Sequence, residues 1–284
     1  MDNITRTPYF ASLLDAMARG GIYKWLEYTT LNEKFNVLPK QYPASNIYPR
    51  LRAIGLGWGG MGMAMGADNE AYPIIGQHLS TDTALFKHMP IVLRLPEDDL
   101  SIAQRARYFL RTPYQLDGKT YWAYYLKKAD FSQEENNMYI KRKLADGSIV
   151  IDNFVPSEAN LNPPRIDLQD PGVNLLKGQS VVSSTIINLP LDDFDINEIR
   201  KASLLIKKAT GRAIVSEICL VTGHTAQVDV PVAGGGTVRM EEIIGAQIAA
   251  FIGANYAFDY LNQSLVEQLE LGIAEPLFNI EGEN

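Results

Sequence analysis

The side chains with the strongest claim to chemistry in this sequence are three histidines, one cysteine and three runs of carboxylates. His78 and His88 flank Asp82 and suggest a metal pair. Zinc needs three or four ligands, however, and a ten-residue spacing with no cysteine nearby fits neither a helical nor a finger arrangement. Both read as structural histidines. Cys219 sits in the apolar run from Ala213 to Val221, with His224 five residues on in or just past the same strand. Alternation along a strand separates the two side chains, and no G-x-S-x-G elbow is present, so a buried structural thiol is expected. The carboxylates are Glu97-Asp98-Asp99, Asp192-Asp193 with Asp195, and Glu241-Glu242. The last two runs precede segments read as helical, where negative charge favours the amino end. Two acids distant in sequence can still form a glycosidase pair.

The segment Gly55-Leu56-Gly57-Trp58-Gly59-Gly60 spells G-x-G-x-x-G after a short strand. A dinucleotide site needs a helix to open at the last glycine, so that its amides meet the pyrophosphate. Here the chain runs on through Met61, Met63 and Met65 to Asp68-Asn69-Glu70, and no P-loop lysine follows. No cofactor is expected. Trp58, Met61, Met63 and Met65 read instead as a flexible loop whose soft side chains fit a partner surface or fold back on the core.

Charge points the same way. The net charge of −7 disfavours nucleic acid, because counterion release needs clustered lysine and arginine. Residues 101–143 nevertheless hold nine Lys/Arg against four Asp/Glu, whereas residues 144–284 hold eight against nineteen. Arg105, Arg107 and Arg111 fall on one face of an expected strand, beside Tyr121, Trp122, Tyr124 and Tyr125. Basic and acidic faces of neighbouring copies could meet in this way.

These residues must be held by a scaffold that reads as mainly β. With 46% hydrophobic residues the chain can bury a substantial core. No window approaches the roughly 18 apolar residues of a membrane helix, and Met1-Asp2-Asn3 does not begin a signal peptide, so a soluble protein made in a reducing cytosol is expected. From Pro8 to about Leu31, Phe10, Leu13, Leu14 and Met17, then Ile22, Trp25 and Leu26, recur at helical spacing. They predict two short amphipathic helices broken at Gly20-Gly21. Three prolines between Leu38 and Pro49 predict an extended tract. Asp117-Gly118 and Asp146-Gly147 each predict a hairpin, and hence antiparallel sheet. Further strands are expected at Gln179–Leu189 and Arg212–Thr222, with a helix at Asp195–Lys208. A long C-terminal helix is expected from Met240 to about Leu271. The division expected is a helical arm and linker over 1–47, a β-rich region over 48–155, a connecting loop over 156–178, and a β-rich continuation over 179–284. The core is sandwich-like or barrel-like.

Three stretches taken together resemble tailed-bacteriophage virion structural proteins. They are Tyr48 to Gly60, His78 to Pro90, and Asp98-Asp99-Leu100-Ser101 with Arg105-Ala106-Arg107-Tyr108; Ile214 to Gly223 looks like the same class. The resemblance implies a non-enzymatic, ring-forming component of the neck, collar or tail baseplate of a contractile-tailed phage. Its partners would be copies of itself and other virion proteins, with no membrane, nucleic-acid or small-molecule ligand. Synthesis would be in the host cytoplasm, with the virion as destination. The interface residues expected are Phe10, Leu13, Leu14, Met17, Trp25, Trp58, Met61, Met63, Met65, Arg105, Arg107 and Arg111. The methionines depart from the polar ending that the family favours after the glycines. A carbohydrate-active or glycan-binding β protein, with Trp122 and the tyrosines lining a groove, is the alternative.

Overall fold

The structure, a computed structural model, describes residues 3–44, 46–144, 146–158, 161, 179–208, 212–231, 235–258 and 265–276. In chain order the elements are β1 (Asn3–Arg6), α1 (Pro8–Arg19), α2 (Leu31–Phe35), β2 (Arg50–Gly57), β3 (Met61–Met65), β4 (Ala71–Ile75), β5 (His88–Met89) and β6 (Val92–Arg94). A 3-10 turn at Pro96–Asp98 leads to α3 (Ile102–Arg105), β7 (Tyr108–Leu116), β8 (Lys119–Lys128), β9 (Asn136–Lys143) and β10 (Ile149–Asn153). The remainder is β11 (Gln179–Leu191), α4 (Asp193–Lys207), β12 (Ala213–Pro231), β13 (Thr237–Phe258) and β14 (Leu265–Pro276). The fold is mainly β and antiparallel, as the two Asp-Gly turns imply. Asp117 and Gly118 take φ of 50° and 74° between β7 and β8, and Gly147 takes 84° between β9 and β10. Glycine and aspartate tolerate that left-handed region, which matches the twist of the flanking strands.

Residues 1–130 and 190–266 form one compact unit, and residues 131–189 and 267–284 a second. In the first, the strand order is β1-β13-β12-β2-β8-β6, with β5 also on β2 and β7 also on β8. Ala53 and Ile54 pair β2 with β8, opposite Lys128 and Lys127, and Ala129 N donates to Arg52 O just beyond. This short seam joins a layer of β1, β13, β12 and β2 to a layer of β6, β8 and β7. The sheet does not close into a barrel. A sandwich-like core draws Ala53, Cys219, Val221 and Phe251 from the first layer and Phe109, Leu110, Tyr125 and Leu126 from the second. Leu31 of α2 and Ala202 of α4 complete it. The second unit carries the sheet β10-β9-β11-β14, with Val182, Ser184 and Ile187 buried in it.

Two expectations are corrected. The stretch from Met240 to about Leu271 is not a helix: through Phe258 it is β13, Leu265–Leu271 begins β14, and 259–264 lie outside the described residues. β13 runs between β1 and β12, and every residue from Gly245 to Ile252 is buried. A strand covered on both faces reads as continuous apolar sequence, and periodicity alone cannot separate that from a helix. The second N-terminal helix is also absent, since beyond the left-handed Gly20 cap residues 21–26 form no helix and 27–28 are a turn. Tyr23 is buried and Trp25 half-buried, while Ile22, Lys24 and Leu26 are exposed, an alternation of period two. The described residues of 1–47 belong to the first unit. β1 pairs with the β13 edge, Thr7 Oγ1 donates to Ile248 O at 2.6 Å, and Asn32 bonds both Ile243 O and Ala246 N. The connection over 156–178 lies largely outside the described residues.

Candidate functional site

The glycines at the end of β2 are there for close packing. A Cβ on Gly55 would lie 2.7 Å from Cys219 Sγ, and one on Gly57 2.9 Å from both Glu217 Oε1 and Lys87 O. At Gly59 it would meet Lys87 N at 2.7 Å, and at Gly60 Glu217 Cγ at 2.8 Å. The run lets β2 and the following turn lie flat against β12. The chain then leaves as the two-stranded ribbon β3–β4 and returns at Gly76, whose N–H donates to Gly60 O at 2.6 Å and closes the ribbon's base.

Both ends of this excursion converge on one buried carboxylate. Glu217 Oε1 accepts from Gly59 N (2.6 Å), and Oε2 accepts from Phe86 N (2.8 Å) and lies 2.9 Å from His78 Nε2. The neighbouring Ser216 Oγ accepts from Gly60 N at 3.0 Å. Ser216 and Glu217 reach the same turn because the β12–β13 register shifts between Val215 and Glu217, and such an irregularity re-aims side chains. On its other side His78 Nδ1 lies 2.9 Å from Asp82 Oδ2, and the ring is stacked between Phe86 (4.1 Å) and Phe251 (4.0 Å). Burial alone would push the His78 pKa down, but its hydrogen bonds to Glu217 and Asp82 outweigh that and hold it above the ordinary histidine value. The constellation is therefore a charged clasp. Among the described residues no hydroxyl or thiol is bonded to His78, and its two carboxylates lie on opposite ring nitrogens, where they cannot share one metal ion. Among the described residues no group of three or more His, Cys, Asp or Glu is placed to hold a metal. His88 is separate: its Nε2 accepts from Leu85 N at 3.2 Å, and burial, with the Lys34 and His78 charges, pushes its pKa down to about 3. Burial raises the Cys219 thiol.

The residues expected to form an interface divide. Met61, Met63 and Met65 are not in a loop but on one face of β3, together with Pro73 and Ile75 of β4. Their register makes a short ribbon with Met63, Met65, Tyr72, Ile74 and Ile75 exposed. Trp58 is turned inward at the ribbon's base, with the Lys207 and Lys87 ammonium groups 4.5 and 5.7 Å from its ring centre. Leu13 is buried, and Phe10 and Trp25 pack around it, so α1 docks on its own unit; Leu14 is half-buried and only Met17 is well exposed. Arg105, Arg107 and Arg111 do not share a strand face. Arg105 is buried at the end of α3, while Arg107 pairs with Asp192 (2.6 Å) and Asp195 (2.9 Å). Arg111 pairs with Asp99 (2.5 Å) and stacks 3.5 Å over Trp122.

The acidic runs supply the matching charges. Asp195 is fully buried in the capping box that starts α4, and also accepts from Lys127 Nζ (2.5 Å) and Tyr108 Oη (2.7 Å). Glu198 receives a bidentate Arg94, Asp98 receives the same arginine, and Glu241 pairs with Lys128. Tyr121, Tyr124 and Tyr125 are buried and Trp122 lies under Arg111, so these rings line no open groove.

Sequence reasoning missed Glu217. The available signal was a lone carboxylate in the apolar run 213–221, since a charge inside a central strand must have partners. A family of unknown function, DUF7208, matches residues 1–283, and the chain belongs to that family. No curated protein and no solved structure matches it.

Proposed function

We propose that this protein is a non-enzymatic assembly component that offers the β3–β4 ribbon to neighbouring subunits, as a ring-forming structural protein of a phage neck or tail baseplate. The observation that carries the assembly reading is the ribbon itself. Two strands with apolar side chains exposed on both faces have little stability of their own in water. This ribbon is nevertheless tied to the sheet at both ends by one buried carboxylate. A surface so held, and so apolar, suits a partner that covers it. The virion assignment is supported by the resemblance of residues 48–108 and 214–223.

The experiment is excision. Because Gly76 already bonds Gly60, residues 61–75 can be deleted with Gly60 joined to Gly76. The full chain is expected to form higher-mass species in sedimentation velocity and in negative-stain images, and the shortened chain to lose them while keeping its circular-dichroism spectrum and cooperative melting. Unchanged assembly after excision sinks the reading.

A further inference from the structure

The tip of the ribbon is acidic. Asp68 and Glu70, in the turn from Gly66 to Glu70, are exposed and have no ion-pair partner among the described residues. The ribbon therefore combines a methionine face with a negative end. Among the described residues, the β9–β10 hairpin has the complementary character. Its register places Lys143 opposite Ile149, Lys141 opposite Ile151 and Tyr139 opposite Asn153, so Ile149, Ile151, Lys141 and Lys143 share one face of the sheet. Ile149 and Ile151 are exposed, Lys143 has no ion-pair partner among the described residues, and Lys141 has only a longer-range carboxylate, Glu270. Arg142 lies on the other face, where it is paired with Asp152. Lengths match as well. Five residues pair along each hairpin, a span of about 14 Å at strand rise.

We infer that the ribbon of one copy docks on the β9–β10 face of a second copy, methionines on isoleucines and the Asp68/Glu70 tip against Lys141 and Lys143. The contact is heterologous, since two different surfaces meet. Repeated from copy to copy, it makes a ring if the rotation closes and a filament if it does not. Opposite charges at the rim choose partner and register, while the apolar faces supply burial. The inference rests on the assembly reading and names its second surface.

Charge exchange tests it. The full chain, D68K/E70K, K141E/K143E and the fourfold combination are compared by sedimentation velocity over a concentration series. The wild type is expected to self-associate, and each pair exchange to weaken that association by about tenfold or more in Kd. A mixture of the two exchanged proteins should recover growth beyond two copies as an alternating assembly, because each one's ribbon tip complements the other's β9–β10 face, and the fourfold variant should recover that growth alone. Recovery also shows that the substituted chains fold. If each exchange leaves the mass distribution unchanged while ribbon excision abolishes assembly, the ribbon docks elsewhere and this inference is wrong although the assembly reading stands. A wild type monomeric at every concentration overturns the inference too.

Discussion

Glu217 and Asp195 are both buried carboxylates that tie distant segments together, and they are neutralised differently. Asp195 lies between two basic side chains, Arg107 and Lys127, with the Tyr108 hydroxyl as a third donor. Both cations retain some access to water, with side-chain exposures of 26% and 11%. Glu217 has two backbone amides and one histidine, and that histidine is 3% exposed. The difference teaches that the fold fixes its framework helix on a guanidinium and an ammonium, and its ribbon on a histidine whose pKa is raised by its hydrogen bonds to Glu217 and Asp82.

Breaking each site ranks the two. Glu217→Ala leaves His78 Nε2 and the amides of Gly59 and Phe86 without their buried acceptor, and about 3–5 kcal/mol of stability should be lost. Asp195→Ala frees cations that can turn toward solvent, so a smaller loss of about 2–3 kcal/mol is expected. Urea unfolding at pH 6.5 compares them; a larger cost at Asp195 would reverse the ranking.

Titration sharpens the contrast. The His78 pKa is raised on folding. Its contribution is therefore fully present below the unfolded value of about 6.5, and is lost as pH rises through the higher folded value. The melting temperature of the wild type should fall between neutral and alkaline pH. His78→Phe keeps a ring between Phe86 and Phe251 but leaves Glu217 without its cation. It should cost about 2 kcal/mol at pH 6 and flatten that alkaline decline. The increment lost in Asp195→Asn should stay constant over the same range, since the Arg107 guanidinium is held above its ordinary value by Asp192 and Asp195. A His78→Phe profile parallel to the wild type would remove the histidine from the clasp.

How much of this was legible in the sequence follows from burial. The β7–β8 and β9–β10 hairpins were readable because Asp117-Gly118 and Asp146-Gly147 encode a turn locally. The helix after Asp192 was readable from its acidic cap. β13 was misread because a strand buried on both faces has no period of two to display. The methionines were picked out, but as a loop; the alternation Met61, Met63, Met65 that gives the ribbon its single methionine face was overlooked. Arg105, Arg107 and Arg111 looked like a surface because their acidic partners lie on other segments: Asp192 and Asp195 are 85 and 88 residues from Arg107. The clasp was the least visible feature. His78 and Glu217 are 139 residues apart, and only folding brings them together.

The smallest expected effects separate close approach from backbone conformation. Gly57→Ala places a methyl 2.9 Å from Glu217 Oε1 and from the Lys87 carbonyl, neither of which is a free side-chain end. Overpacking there should cost about 1–3 kcal/mol, part of it felt as a displaced Glu217. Gly118→Ala meets nothing within 4 Å but keeps a φ of +74°, so only the left-handed strain of about 1 kcal/mol remains. The two variants are told apart by pH. Gly57→Ala perturbs the carboxylate that holds His78 and should weaken the alkaline decline in melting temperature, whereas Gly118→Ala should lower the whole curve without changing its shape. Equal shapes for both would place Gly57 outside the clasp and leave its role as a contact with the Lys87 backbone alone.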